Sequence, residues 1–421
     1  MAICYYMNKM IQPKTLKGFR DFLPKEARKR QYVIDKLRSV FESYGFEPLE
    51  TPALEYAEIL EGKYGEEGER LMYKFEDKGG RKVALRYDQT VPLARVIAQY
   101  GNSLPLPFKR YQIQNVWRGE NPQAGRFREF LQCDIDTVGT SSLLADAEII
   151  EIAVRSLQTL GFKNFKILIN DRKIFPQLNP KGFVSDNKLA KAVRSLDKIK
   201  KIGEEGALRD LIENGFSEEE ANAIVQNAKK LKPTDDTLKL FDLLKKLGIE
   251  ENRIIAAPEL ARGLDYYTGP IFEIELEGYD AGSVCGGGRY DNLVGMFGGK
   301  QIPAVGCSFG FDRLIEAMEA QNLFPSELAT AKVLVTVFSE RLSKKSIEVA
   351  SFLREQGINT EVYLDAEVKI EKQLKYADAK AIPYVVIIGP KEAENNSATV
   401  KNMKTGEQKT LKIKQIAETF R

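Results

Sequence analysis

The residues best suited to chemistry lie in one segment, Trp117–Asp136. Two stretches that alternate between polar and apolar residues, 108–116 and 130–136, flank an Asn-Pro-Gln-Ala-Gly loop, which predicts an antiparallel hairpin. A period of two gives this hairpin a polar face of Arg118, Arg126, Arg128, Gln132, Asp134 and Asp136. The opposite, buried face comprises Phe127, Leu131, Cys133 and Ile135. A polar face with no packing role is suited to binding a nucleotide, although most charged hairpins simply face solvent.

A predicted strand-to-helix corner supplies further polar groups. The stretch Val83–Tyr87 alternates like a strand, and a helix follows that contains Pro92 in its first turn. Asp88 and Thr90 lie at the corner, where either side chain can cap the helix. Both side chains are also expected at the open edge of a sheet, where they could hold an ammonium group. The two roles are compatible.

The last third of the sequence adds two more candidate segments. Residues Ala261–Pro270 contain an arginine and two adjacent tyrosines, and they precede a predicted strand, Ile271–Leu276. Three glycines then follow Cys285, which predicts a turn or a place where another group packs directly on the backbone. Arg313 follows the apolar strand Ala304–Phe309 and lies off the apolar stripe of the next helix.

Composition excludes several classes of active site. The 421 residues include no histidine, which excludes Ser-His-Asp hydrolysis, histidine-ligated zinc and acid–base catalysis by histidine. Carboxylates normally titrate below pH 5.5, so no side chain is expected to titrate between pH 5.5 and 7. Four cysteines without CxxC spacing indicate neither a disulfide framework nor a zinc knuckle. The first ten residues are too short for a signal peptide, and Met1, Met7 and Met10 are alternative starts.

The order of elements predicts an α/β protein with several domains. Residues 1–325 form the predicted first domain, with a helical insertion at about 186–252 whose lysines face either solvent or RNA. A linker at 326–331 precedes the second domain, 332–421, in which strands alternate with helices as in a parallel sheet. Lysine and arginine exceed acidic residues by four in this second domain, against a total of +3 for the chain. This charge distribution is modest support for an RNA-binding role of the second domain.

The hairpin segment resembles motif 2 of the class II aminoacyl-tRNA synthetases. The resemblance implies that Arg118 binds the α-phosphate of ATP and the substrate carboxylate, that Glu120 contacts adenine, and that Arg126 binds the γ-phosphate. The segment around Arg313 resembles motif 3, whose arginine also binds the γ-phosphate. The helix, glycine and proline-containing strand over 25–55 are similar to motif 1, which implies a homodimer. The bulky residue usual before Glu120 is replaced by glycine here.

The segment Arg262–Gly269 is very similar to the histidine-recognition motif of the histidyl-tRNA synthetase family. The resemblance implies that Asp88, Thr90 and Gln132 bind the α-amino group, and that Asp136 accepts the imidazole N–H. It implies that Tyr266 and Tyr267 complete the ring pocket and that Arg262 places a cation beside the α-phosphate. Many family members have glutamate in place of Asp136.

Together the motifs imply a class II catalytic sheet, antiparallel and flanked by helices, with an anticodon-binding domain after it. The implied reaction activates L-histidine with ATP and Mg²⁺ and transfers it to tRNA(His), in the cytoplasm and without a membrane. One alternative is a non-catalytic paralogue, the regulatory subunit of ATP phosphoribosyltransferase. Another is a class II synthetase with a different amino-acid pocket. The arginine set and residues 332–421 argue against the first alternative, and the segment Arg262–Gly269 argues against the second.

Overall fold

The computed structural model describes residues 12–122, 126–180, 182–261, 266–326 and 328–420. Arg262 and the alternative starts at Met1, Met7 and Met10 lie outside the described residues. The chain divides into two compact units. One comprises residues up to Asp21 together with Tyr32–Leu323, and the other comprises Phe22–Gln31 together with Phe324–Arg421.

The elements before the second unit's sheet follow the chain in this order: α1 (Pro24–Ser43), β1 (Glu47–Pro48), β2 (Leu54–Tyr56), α2 (Ala57–Leu60), α3 (Gly65–Leu71), β3 (Lys74–Glu76), β4 (Lys82–Leu85), α4 (Thr90–Tyr100), β5 (Phe108–Trp117), β6 (Glu129–Val138), α5 (Leu143–Thr159), β7 (Phe165–Asp171), α6 (Asp186–Asp197), α7 (Ile199–Glu213), α8 (Glu218–Ala228), α9 (Asp235–Lys246), β8 (Ile254–Ala256), β9 (Pro270–Leu276), β10 (Cys285–Arg289), β11 (Ala304–Gly310) and α10 (Phe311–Ala320).

The main sheet contains eight strands among the described residues, in the order β1-β5-β6-β11-β10-β9-β7-β8. Its six central strands pair antiparallel, and only the edge strands β1 and β8 pair parallel with their neighbours. This confirms the predicted class II antiparallel sheet. The predicted hairpin is β5 and β6, which pair along their whole length from Phe108↔Val138 to Trp117↔Glu129.

Two strand predictions near the N-terminus needed correction. The proline-containing stretch 46–55 forms two short strands rather than one, with β1 in the main sheet and β2 in a separate sheet of order β2-β4-β3. Pro52 lies between them, and proline cannot donate a ladder hydrogen bond. The strand predicted at Val83–Tyr87 is β4, Lys82–Leu85, which also belongs to the small sheet.

The region predicted as a helical insertion contains α6, α7, α8 and α9, with α7 kinked at Gly203. Residues of α6, α7 and α8 share a core that includes Ala192, Leu211 and Ile224. A capping box begins α8, where the Ser217 side chain accepts from the Glu220 backbone and the Glu220 side chain accepts from the Ser217 backbone. None of the described helices is long and apolar enough to cross a membrane.

The second unit contains β12 (Val333–Val335), α11 (Glu340–Glu355), β13 (Thr360–Val362), α12 (Ile370–Ala379), β14 (Tyr384–Ile387), α13 (Pro390–Glu394), β15 (Ser397–Asn402), β16 (Gln408–Lys412) and α14 (Ile413–Ile416). Strands β13, β12 and β14 are parallel, as predicted. The prediction of a wholly parallel sheet was wrong, because β15 and β16 extend it antiparallel. The short turn between β15 and β16 permits only antiparallel pairing.

Candidate active site

A cavity of about 500 Å³ opens on the polar face of the main sheet. Ten of the eleven side chains predicted for the site line this cavity, and the eleventh, Arg262, lies outside the described residues. The ten are Asp88, Thr90, Arg118, Glu120, Arg126, Gln132, Asp136, Tyr266, Tyr267 and Arg313. The structure therefore brings together residues that are up to 225 positions apart in sequence.

The cavity exists because small residues lie opposite the polar side chains of β6. In the pairing of β6 with β11, Asp136 faces Gly306, Asp134 faces Ser308 and Gln132 faces Gly310. A Cβ on Gly306 would overlap the Asp136 carboxylate, and it would lie 2.6 Å from the backbone oxygen of Ile135. The next strand continues the gap with Gly286 opposite Ser308. Of the two predictions for the glycine run after Cys285, close backbone packing is confirmed and a turn is not, since these glycines lie inside β10.

Asp136 lies at the floor of the cavity and is held on both oxygens. Arg110, its cross-strand neighbour on β5, is fully buried and places Nη2 2.7 Å from Oδ2. This contact is an ion pair without hydrogen-bond alignment, so Oδ2 retains accepting capacity. Tyr290 donates its hydroxyl to Oδ1. The carboxylate is therefore fixed in position before any ligand arrives.

Asp88 caps the helix through one carboxylate oxygen and leaves the other oxygen available to a ligand. Its Oδ1 accepts from the backbone of Val91 at 3.1 Å, in the first turn of α4, and from the Tyr64 hydroxyl at 2.8 Å. Its Oδ2 is buried, has no hydrogen-bond partner among the described residues, and belongs to a side chain that lines the cavity. Gln89 connects this corner to the hairpin by donating to the backbone oxygens of Gln114 and Gln132.

Arg118 is held by aromatic stacking. Its guanidinium carbon lies 4.5 Å from the ring centre of Tyr87 and 5.1 Å from that of Phe130. The Nε atom donates to the backbone oxygen of Tyr87 at 3.1 Å. The two terminal amino groups make no hydrogen bond within the described part of the chain, and in this geometry they suit a bidentate contact with a phosphate or carboxylate.

Two more cations lie farther along the cavity. Arg126 and Glu120, on either side of the hairpin loop, approach to 3.4 Å. Arg313, in the first turn of α10, donates to the backbone oxygen of Ser283 at 2.8 Å. Arg313 and Arg126 thus add positive charge to a cavity whose floor is acidic, so the cavity has a basic end and an acidic end.

Three tyrosines form an aromatic cluster beside Asp136. The ring centres of Tyr266 and Tyr267 are 4.9 Å apart, and those of Tyr266 and Tyr290 are 5.7 Å apart. Behind them, Thr268 bonds to Asp291 at 2.9 Å, which fixes the backbone that carries these rings. A planar polar ring would have aromatic surfaces to pack against and a carboxylate to bond.

Burial alters the acidity of the carboxyl groups on the cavity floor. It raises the pKa of Asp134 to about 7, with the Arg110 charge opposing the rise and the Asp136 charge adding to it. Burial also raises the pKa values of Asp88 and Asp136 above the usual range, opposed at Asp136 by Arg110 and by donation from Tyr290. The expectation that no enzyme side chain titrates between pH 5.5 and 7 was therefore wrong for Asp134.

The sequence analysis missed several residues that line the cavity or hold its carboxylates in place. Arg110, Tyr64 and Tyr290 make direct bonds to the predicted carboxylates, and Asp134 was placed on the polar face without a role. A register count could have found Arg110, since a hairpin centred on the loop pairs residue 110 with residue 136. The side-chain alternation also fails near the loop, because Phe127 and Leu131 line the cavity instead of belonging to the buried face.

Comparison with known proteins agrees with this arrangement. Residues 18–314 match the family model described as histidyl-tRNA synthetase, and residues 332–421 match an anticodon binding domain. A histidine–tRNA ligase of Wolinella succinogenes is 42% identical over 97% of this chain and 98% of its own length. One from Cytophaga hutchinsonii is 40% identical, with coverages of 95% and 97%. The crystal structure of histidyl-tRNA synthetase from Nostoc sp. PCC 7120 superimposes with a TM-score of 0.85 at 33% identity, covering 97% of this chain and 99% of that one. This chain belongs to the histidyl-tRNA synthetase family.

Proposed function

We propose that the protein is a histidine–tRNA ligase that forms histidyl-adenylate from L-histidine and ATP, and then transfers histidine to the 3′ end of tRNA(His). The observation that carries the proposal is the division of one cavity into an acidic, aromatic end and an end lined by arginines. A zwitterion with a polar ring suits the first end, and a triphosphate suits the second.

At the acidic end, the neutral imidazole would donate an N–H to Asp136 and pack between Tyr266 and Tyr267. Asp88, Thr90 and Gln132 would receive the α-ammonium group. Apolar amino acids of similar size would leave the buried Asp136 carboxylate without its ring donor. Sites of this kind discriminate by about 10⁴-fold or more.

At the other end, Arg118 would bind the substrate carboxylate and the α-phosphate together. Attack by the carboxylate oxygen on the α-phosphorus forms the mixed anhydride and releases pyrophosphate. The carboxylate is already anionic at neutral pH, so no general base is needed. Arg118, joined by Arg262, would neutralise charge that builds on the phosphorus, while Glu120 contacts adenine and Arg126 and Arg313 hold the γ-phosphate.

Magnesium would enter bound to the phosphates of ATP. The described residues contain no cluster of three or more acidic or cysteine side chains placed to ligate a metal. Oxygen ligands from the triphosphate suit Mg²⁺, which commonly binds through substrate phosphates and retained water. The protein groups around those phosphates would be the arginines.

We further propose a homodimer and a cytosolic location, where tRNA is charged. An apolar row on the small sheet supports the dimer: exposed Tyr56 and Phe75 both pair with Val83, and Leu54 is exposed on the same face. Sedimentation equilibrium should give twice the chain mass of 47.5 kDa. A mass equal to one chain would contradict the dimer.

The deciding experiment is ATP–pyrophosphate exchange with each of the twenty amino acids, followed by charging of tRNA(His). We expect exchange with histidine alone, and charging of tRNA(His) but not of a non-cognate tRNA. Exchange with none of the twenty would favour the regulatory paralogue, and exchange with another amino acid would contradict the assigned pocket. Residues 332–421 and the three cavity arginines, Arg118, Arg126 and Arg313, support the ligase over the paralogue.

A further inference from the structure

Asp134 is a buried carboxylate in the cavity for which the family resemblance provides no role. It lies on β6 between Gln132 and Asp136, is only 2% exposed, and lines the cavity. Ser308 faces it on β11 with its hydroxyl beside the carboxyl group, and Gly286 occupies the following position on β10. Because neither residue is bulky, the carboxyl group borders open space.

The hydrogen bond between Asp134 and Gln132 determines which way the amide of Gln132 points. Gln132 Nε2 lies 3.2 Å from Asp134 Oδ2. In its ionised form, which a bound cationic group favours, the Asp134 carboxylate only accepts hydrogen bonds, so it selects the amide orientation in which nitrogen faces it. The amide oxygen then points elsewhere, and Oε1 of Gln132 is buried without a hydrogen-bond partner among the described residues.

Three buried acceptors consequently remain open in one part of the cavity. They are Asp88 Oδ2, Gln132 Oε1 and Asp134 Oδ1. Gln89 connects the corner that carries Asp88 to the backbone of Gln132, and the charge of Asp88 acts on Asp134. An ammonium group has three N–H donors, one for each of these acceptors, while the open Oδ2 of Asp136 is left for the imidazole.

Charge favours the same ligand. The floor contains three carboxyl groups, Asp88, Asp134 and Asp136, and the fully buried cation among them is Arg110. A buried negative charge is costly without a partner, so this floor is completed by a cationic group from the ligand. The imidazole would be bonded by Asp136, which leaves the ammonium group for Asp134 and its neighbours.

We propose that Asp134 is a positioning and specificity residue for the α-ammonium group. It fixes the Gln132 amide with its oxygen toward the ligand, and its own open oxygen adds negative charge beside the ammonium. This inference rests on the proposed function, because it assumes that the ligand is histidine. Asp134 would join Asp88, Thr90 and Gln132, which the family resemblance implies for this group, and would help to distinguish an amino acid from an analogue without the ammonium group.

The test uses two ligands that differ in the group concerned. Histidinol retains the ammonium and imidazole groups, and 3-(imidazol-4-yl)propionate retains the imidazole and carboxylate but has no ammonium. Their dissociation constants are measured by calorimetry with the full-length wild type, Asp134→Asn and Asp134→Ser. Asparagine and serine each have both a donor and an acceptor, so neither replacement carries the negative charge or selects one orientation of the Gln132 amide.

For Asp134→Asn we expect histidinol to bind about 10- to 100-fold more weakly, as for loss of a hydrogen bond to a charged group. Binding of imidazolylpropionate should change by less than about 2-fold, which is below a typical single hydrogen bond. Asp134→Ser should weaken histidinol binding in the same way, and it provides the same comparison if Asp134→Asn fails to fold. The exposed Asp280→Asn is the control for a general charge effect and should leave both constants unchanged.

If the binding of both ligands were weakened equally, the inference would be overturned. Asp134 would then act on the imidazole ring or on the structure of the cavity, and not on the ammonium group. Unchanged histidinol binding in both variants would overturn it as well. Failure of the proposed function would give a different result, because the wild type itself would then bind neither histidinol nor histidine.

Discussion

Arg110 and Asp136 face each other across β5 and β6, with Nη2 2.7 Å from Oδ2 and almost no exposure of either side chain. The pair both stabilises the sheet and positions the carboxylate that would recognise the ligand. The carboxylate that would accept a hydrogen bond from the imidazole ring is held by a cation that is itself fully buried. Tyr290 donates to the other oxygen, so the direction of the carboxylate is set from two sides.

Arg110→Ala should therefore destabilise the first unit strongly. Removing one member of a buried ion pair leaves the other charge uncompensated and typically costs about 3–5 kcal/mol. The denaturation midpoint in urea, followed by fluorescence of Trp117, measures the effect. The double variant Arg110→Met with Asp136→Leu should recover much of the lost stability without recovering histidine binding. A single variant as stable as wild type would contradict the structural role of the pair.

Gly306→Ala should weaken the binding of histidine without weakening the binding of ATP. Its Cβ would overlap Oδ1 of Asp136 and press on the backbone of Ile135, so the carboxylate must move. We expect the KM for histidine in pyrophosphate exchange to rise by about 10-fold or more, as for loss of one charged hydrogen bond, while the KM for ATP stays within about 2-fold. Gly299→Ala is the matched control, since nothing lies within 4 Å of a Cβ built there. Equal effects of the two substitutions would refute this reading.

Arg118→Ala should abolish adenylate formation in a folded protein. The guanidinium would neutralise charge on the α-phosphate that is greatest in the transition state, and loss of such a group costs about 3–4 kcal/mol. Pyrophosphate exchange measures the loss, and the exposed Arg81→Ala serves as the control. Arg262→Ala is expected to behave in the same way. Near-normal exchange by folded Arg118→Ala would contradict the assigned role.

Asp134 should make stability depend on pH near neutrality. Burial raises its pKa to about 7, with the charges of Asp136 and Asp88 adding to the rise and Arg110 opposing it, so the folded protein binds this proton more tightly than the unfolded chain. Its contribution to stability is therefore complete below about pH 4 and is lost as pH rises through about 7.

Asp134→Asn has no proton to lose at this position. Compared with wild type, it should gain stability from pH 5 to pH 7 by as much as about 1.4 kcal/mol per pH unit. Urea midpoints of both proteins at intervals of half a pH unit, with Asp280→Asn as the control, provide the measurement. A constant difference between Asp134→Asn and wild type would mean that Asp134 titrates normally.

Most strands of the main sheet and many of the cavity residues could be predicted from the sequence, because period-two patterning and motif spacing are local signals. The bounds of β6, β9 and β11 follow closely from alternation, and Asp88 and Gln132 were identified from motif positions. Pairing between distant strands is not local. Nothing near Gly306 in sequence indicates that it leaves room for Asp136, 170 residues earlier.

The same limit explains the two clearest errors. The pKa of Asp134 depends on burial by several strands, which no pattern around residue 134 encodes. In the second unit, β15 and β16 are rich in polar residues and β16 is mostly exposed, so they lack the continuous apolar run by which β12 and β14 were predicted. Phe127 and Leu131 departed from alternation because they lie where the hairpin approaches its loop.

The glycine opposite Asp136 also bears on drug resistance. Gly306 contributes bare backbone to the cavity wall, and even a methyl group there would collide with Asp136 and with the Ile135 carbonyl. An inhibitor could pack directly against this backbone. A point mutation at Gly306 that displaced the inhibitor would also displace the Asp136 carboxylate. Escape variants selected against such a compound should therefore map to the arginine-lined end of the cavity and not to its glycine wall.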